Sequence, residues 1–199
     1  MPEPVVIRPR GGQILAWAAI GACAVGLFLM VITDGPESLV LWSWPLLLVA
    51  WLAWLLYIHP YVSVTDGFVE IGNPFRTHRV PWGDIRDVES RYAFSVVTAA
   101  GRSIRSWAAP APGVRQALST RREEVARSAG DGDTRRPSDA EGTASGDVSD
   151  LVRRRVEAYR RDSGPKTAGG TATTFNVAQI GVTAALLAAT VLSLTVPHG

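Results

Sequence analysis

Three long stretches without one charged side chain limit what this chain can become more than any other feature of its sequence. Ile14 to Ile32 runs for 19 residues, Leu39 to Ile58 for 20 and Val177 to Val196 for 20. At a rise of about 1.5 Å per helical residue, each is long enough to cross a hydrocarbon layer of roughly 30 Å. A hydrophobic fraction of 47% would suit a small globular domain as well as a membrane chain. Its arrangement in unbroken runs separated by polar sequence is not the periodicity of a soluble amphipathic core. The expectation is three transmembrane helices over residues 14–32, 39–58 and 177–196.

The second stretch places Trp42 and Trp44 near one end and Trp51, Trp54 and Tyr57 toward the other, as aromatic side chains anchor at both membrane interfaces. Pro45 falls in its first two turns, where a missing backbone donor costs least. Gly181, Ala185, Ala189 and Ser193 recur at steps of four, as do Ala18, Ala22 and Gly26. Small residues so spaced let helices approach closely, so the first and third stretches are expected to pack face to face, with ordinary alanine-rich filler as the alternative. Cys23 is the single cysteine, which excludes an intrachain disulfide. Ile20 to Cys23 resembles a lipoprotein cleavage box, but apolar residues continue to Ile32, and the stretch is read as retained.

Direction follows from the bases. Arg8 and Arg10 precede the first stretch, the loop 33–38 holds Asp34 and Glu37 and no base, and every other Arg and Lys lies between Pro60 and Asn176. Positive charge accumulates on the cytoplasmic side. Residues 1–13 and 60–176 are therefore expected in the cytoplasm, and the loop 33–38 and the C-terminus outside, as in a multi-pass protein of the cell (inner) membrane.

Between the second and third stretches the period shortens to two. Tyr61 to Thr65 and Phe68 to Ile71 alternate around Asp66-Gly67, a pair that suits a primed hairpin turn with positive φ. Asn73-Pro74 marks the next turn, Thr77 to Trp82 a third strand and Ile85 to Arg91 a fourth, with Ile85, Val88 and Tyr92 inward. Phe94 to Thr98 and Ser103 to Trp107 form a second hairpin around Gly101. Six short strands leave edges and an apolar rim to cover. Residues 147–161 suit that task, because Val148, Leu151, Val152, Val156 and Tyr159 recur at helical steps while Arg153, Arg154, Glu157, Arg160 and Arg161 take the other face. Asp147 or Ser149 can cap its start and Gly164-Pro165 ends it. Residues 113–146 read as an insertion, helical over Gly113 to Ser128 and then disordered, since Ala129 to Gly146 has almost no apolar side chain to bury. The fold class is thus α+β: three membrane helices and a small antiparallel β domain capped by a helix.

The run His78-Arg79-Val80-Pro81-Trp82-Gly83-Asp84-Ile85-Arg86-Asp87-Val88 resembles the bacterial PH-like domain family typified by low-molecular-weight protein antigen 6. Val64 to Phe68, Asn73-Pro74 and the two upstream membrane helices are similar to that family as well. The resemblance covers Pro60 to about Pro112 and implies two nearly orthogonal sheets closed at one end by a helix. The long insertion before the capping helix and the third membrane stretch depart from the family pattern.

Chemistry is poorly represented. His59, His78 and His198 have no metal-ligand spacing, and no phosphate loop, nucleophile elbow or activated cysteine occurs. Asp84 and Asp87 suit capping and solubility, and the apolar stretches hold no acidic or basic side chain that would mark a transport path. No enzyme, metal or cofactor is expected, nor a nucleic-acid partner, because the net charge is only +2 and no basic stripe forms. Six arginines against five carboxylates between Pro60 and Pro112 leave +1, a poor phosphate trap. The expectation is a membrane-anchored module that binds a protein or peptide, with a sensor of anionic inner-leaflet lipid as the alternative. Arg76, Arg79, Trp82, Arg153 and Arg154 are the residues expected to meet the partner or lipid, although Trp82 also suits a core anchor at the strand bend.

Overall fold

A computed structural model describes residues 4–8, 10–89, 93–110, 144–162 and 169–195. The elements, in order, are β1 (Val5–Ile7), α1 (Arg10–Asp34), α2 (Ser38–Tyr57), β2 (Tyr61–Val64), β3 (Phe68–Gly72), β4 (Arg76–Pro81), a 3-10 turn (Trp82–Asp84), β5 (Ile85–Glu89), β6 (Ala93–Thr98), β7 (Ser103–Pro110), α3 (Ala144–Arg161), β8 (Ala172–Phe175) and α4 (Val177–Thr195). They form two compact units. One comprises Met1–Pro9, Tyr61–Asn73 and Thr77–Thr174; the other comprises Arg10–Pro60, Pro74–Arg76 and Phe175–Gly199. Residues 90–92, 163–168 and the helix expected over Gly113 to Ser128 lie outside the described residues.

In the helical unit, two helices among the described residues are long and apolar enough to cross a membrane, over Gly12–Asp34 and Val177–Thr195. The apolar stretch of α2, Trp42–Tyr57, is shorter. Ile14, Trp17, Phe28 and Leu192 stand exposed on α1 and α4. Apolar surface of this extent suits a membrane surrounding or a protein interface.

The expected packing of α1 on α4 gives way to another arrangement. Here α2 is the shared neighbour of both. A Cβ on Gly26 of α1 would stand 3.4 Å from the Leu46 side chain of α2, in ordinary contact, while Gly181 of α4 faces open space. On the other side Trp51 Nε1 donates to Thr183 Oγ1 at 2.9 Å, a bond between α2 and α4.

The β unit holds two sheets. Their orders are β1-β2-β3-β4-β8 and β5-β6-β7. All the pairs β1/β2, β2/β3, β3/β4, β5/β6 and β6/β7 are antiparallel. Val62, Val64, Val69, Ile71 and Val80 from the first sheet meet Ile85, Val88, Phe94, Val96 and Ile104 from the second, and Val148, Val152 and Val156 of α3 complete the core. Alternation is what sends these side chains inward, since successive strand residues point to opposite faces.

Three expectations change. The Asp66-Gly67 turn does not use positive φ at either residue. It closes instead through Thr65, whose Oγ1 donates to Phe68 O at 2.7 Å and accepts from Phe68 N. Gly101 does take φ +76, and its N–H bonds Thr98 O. Second, α3 begins earlier than expected, at Ala144, so Ala144 to Gly146 belong to the helix. Third, β1 and β8 are strands that the sequence reading does not contain; both are edges of the five-stranded sheet.

Candidate functional site

Arg79 lies on β4 directly opposite Glu70 of β3. Its Nη2 sits 3.0 Å from Glu70 Oε2, and its guanidinium stacks 4.4 Å from the centre of the Phe68 ring. From the other side, Tyr61 of β2 donates its hydroxyl to Glu70 Oε1 at 2.7 Å. The tyrosine reaches that far because its strand partner is Gly72. A Cβ on Gly72 would stand 2.4 Å from the ring, so only glycine admits the aromatic cover. The result is a ladder, Tyr61 to Glu70 to Arg79 to Phe68, in which the arginine is already neutralised.

Burial, then the hydrogen bond to Glu70 and its negative charge, push the Tyr61 hydroxyl up from 10.0 to about 12. A folded pKa above the unfolded one means that this contribution to stability is complete below pH 10 and is lost as pH rises toward 12. Tyr61→Phe is expected to flatten the alkaline limb of unfolding, followed by near-ultraviolet circular dichroism of the detergent-solubilised chain. An unchanged limb contradicts the ladder.

Trp82 is 2% exposed. Its indole Nε1 donates to Asp66 O at 2.8 Å and its backbone N–H to Gly67 O at 3.3 Å, which pins the first hairpin onto the bend after β4. This burial and these two bonds suit an anchor at the strand bend. Trp82→Phe keeps the apolar volume largely filled and removes one bond, so a loss of about 1 kcal/mol is expected in denaturant unfolding.

Asp84 and His78 hold β8 and its approach. Asp84 Oδ2 accepts from both Thr171 N and Thr171 Oγ1, and His78 Nδ1 lies 2.9 Å from Thr173 Oγ1. Asp87 Oδ1 accepts from Val88 N. These polar groups organise backbone.

The arginines of α3 do the same. β5 is an edge strand, and its outward carbonyls need donors. Arg153 Nη2 donates to Val88 O at 3.0 Å, and Arg160 Nη2 donates to Ile85 O at 3.1 Å and to Arg86 O at 3.3 Å, where the β5 register shifts. Arg155 pairs with Asp66 at 3.2 Å and Arg161 with Glu157 at 3.4 Å. Arg154 is exposed and has no partner among the described residues. Asn73 closes a further edge, donating Nδ2 to Arg105 O and accepting on Oδ1 from Trp107 N. The sequence reading treats Asn73 only as turn punctuation.

Two packed antiparallel sheets with a helix laid across the core are the architecture that the resemblance implied. Residues 59–136, rather less than half of the chain, match the family model for the bacterial PH domain. The chain carries a bacterial PH-like domain. No curated protein and no solved structure matches the chain.

The strands β2 to β7 fall inside the matched residues, while β1, α3 and β8 lie outside them. Among the described residues no three His, Cys, Asp or Glu side chains cluster as metal ligands. PH domains in general serve as interaction modules and not as catalysts. Of the five residues expected to meet a partner, Arg79 and Arg153 are engaged within the domain and Trp82 is in the core. Arg154 and Arg76 face solvent, Arg76 with its guanidinium 4.9 Å from the Phe175 ring.

Proposed function

We propose that the chain is a multi-pass membrane protein with α1, α2 and α4 as spans, whose PH-like domain faces the cytoplasm and binds a protein or peptide partner. α2 is 20 residues long as a helix, Ser38–Tyr57, and with its aromatic ends it serves as the second span. The bias of basic residues to one side supports the orientation.

The observation that carries the partner reading is the edge of the five-stranded sheet. β1 ends that sheet, and its Val5 and Val6 are 41% and 50% exposed. An apolar edge strand accepts an extended segment through backbone hydrogen bonds, with pockets for alternate side chains. The edge at β5, by contrast, is closed by Arg153 and Arg160. A sensor of anionic lipid built on Arg79 and the basic face of α3 has less support, because those arginines already hold Glu70, Asp66 and the β5 carbonyls.

A photo-reactive amino acid at Val6, activated in intact cells, is expected to yield one discrete protein adduct. The adduct should disappear when Val5 becomes Pro, which removes a backbone donor from the edge. Crosslinking to no protein, or to many without dependence on Val5, contradicts the reading.

A further inference from the structure

Arg76 differs from Arg79, the arginine farther along the same strand, which is paired with Glu70. It opens β4 at the turn that follows Asn73, and no carboxylate pairs with it among the described residues. Its guanidinium instead rests on the exposed face of Phe175, whose own exposure is 58%. Phe75, beside it, is 39% exposed.

The position of this group is fixed by the residue that starts the last helix. Asn176 donates its backbone N–H to Phe75 O at 3.0 Å and its side-chain Nδ2 to Pro74 O at 3.3 Å, while its own carbonyl accepts from Ile180 N in the first turn of α4. Phe75, Arg76 and Phe175 are thereby held at the first residues of an apolar helix that begins with Val177, itself 74% exposed. If α4 spans the bilayer from Val177, these three side chains lie at headgroup depth. Two exposed aromatic rings suit that depth, and an unpaired guanidinium there faces phosphate and not water alone. The planar fork of arginine matches a phosphate with two parallel donors.

We infer that Arg76, supported by Phe175 and Phe75, holds the phosphate of an anionic phospholipid at the start of α4. This rests on the reading of α4 as a membrane span. It assigns the lipid to the anchor and leaves the β1 edge to a protein partner. Phosphate is the shared chemistry of a lipid headgroup and of the free ion; the flanking apolar side chains select the lipid.

The test uses the full chain. Membranes are first washed with alkaline carbonate; the chain is then reconstituted in nanodiscs of mixed phosphatidylcholine and phosphatidylglycerol, and the lipids retained after detergent transfer are measured by native mass spectrometry. The expected result is a preference for phosphatidylglycerol that falls about fivefold in Arg76→Gln, is partly kept in Arg76→Lys, is unchanged in Arg79→Gln, and is not displaced by inorganic phosphate. Equal retention by Arg76→Gln in a chain that withstands carbonate overturns the headgroup site alone, as does displacement by inorganic phosphate. Release of the chain by carbonate overturns the span reading and the site with it.

Discussion

Phe94→Ala is expected to destabilise the β domain by about 3–5 kcal/mol, the range for removing a large aromatic from a packed core. Phe94 is completely buried, in the cluster that joins both sheets to α3. Few alternative positions exist for the lost contacts, because the surrounding Val and Ile side chains are branched at Cβ and stiff. The measurement is amide hydrogen exchange of the full chain in detergent. Exchange in β3 and β6 should rise by orders of magnitude, while α2 keeps its protection; wild-type protection of β6 in the variant contradicts this account of the core.

Val152→Asp is expected to release α3 from the sheets. Val152 is fully buried, and a carboxylate there loses its hydration without gaining a partner, at a cost of about 3 kcal/mol or more. The consequence extends beyond the apolar face. Once α3 leaves, Ile85, Arg86 and Val88 lose the guanidinium donors from Arg160 and Arg153, and β5 becomes a bare edge. Exchange should quicken in α3 and β5 together, and the purified variant should self-associate more than the parent. Arg154→Ala, an exposed change on the same helix, is the control and should stay within about 0.5 kcal/mol of the parent. A Val152→Asp chain with α3 still protected would show that the helix is not held by this face.

Much of the β domain was legible because its strands carry their own signal. Tyr61 to Val64 and Phe68 to Ile71 alternate strictly, and each inward residue of that pattern is buried in the structure. Val148, Val152 and Val156 likewise announce which face of α3 meets the core. The strands β1 and β8 are different. Three and four residues long, they have no period to read, and they exist because β2 and β4 offer edges to pair with. Tertiary pairing, not propensity, makes them strands. Val5-Val6-Ile7 and the threonines of 171–174 were the only local hints.

The candidate site was less legible for a related reason. A basic helix face suggests a solvated or lipid-facing surface, yet two of its arginines turn back to an edge strand far away in sequence. That use depends on where β5 lies. Glu70 opposite Arg79 was within reach of the sequence, since a hairpin centred on Pro74 and Phe75 places them in register. The hairpin turn at Asp66-Gly67 misled for a physical cause: Trp82, sixteen positions on, bonds both turn carbonyls and settles the turn's shape in place of local glycine preference. The helix pairing was also unreadable from spacing, because α2, which carries no such stripe of small residues, is the neighbour of both other helices.

The central claim, a PH-like domain anchored in the membrane and facing the cytoplasm, has a direct test. Cys23 is replaced by Ser, and Ser103, exposed at the start of β7, by Cys. Intact cells and permeabilised cells are then treated with a membrane-impermeant maleimide, and the chain is recovered from carbonate-washed membranes. The account predicts that the chain stays in the washed membrane and that Ser103→Cys is labelled only after permeabilisation. Labelling in intact cells, or recovery of the chain in the carbonate supernatant, would contradict it.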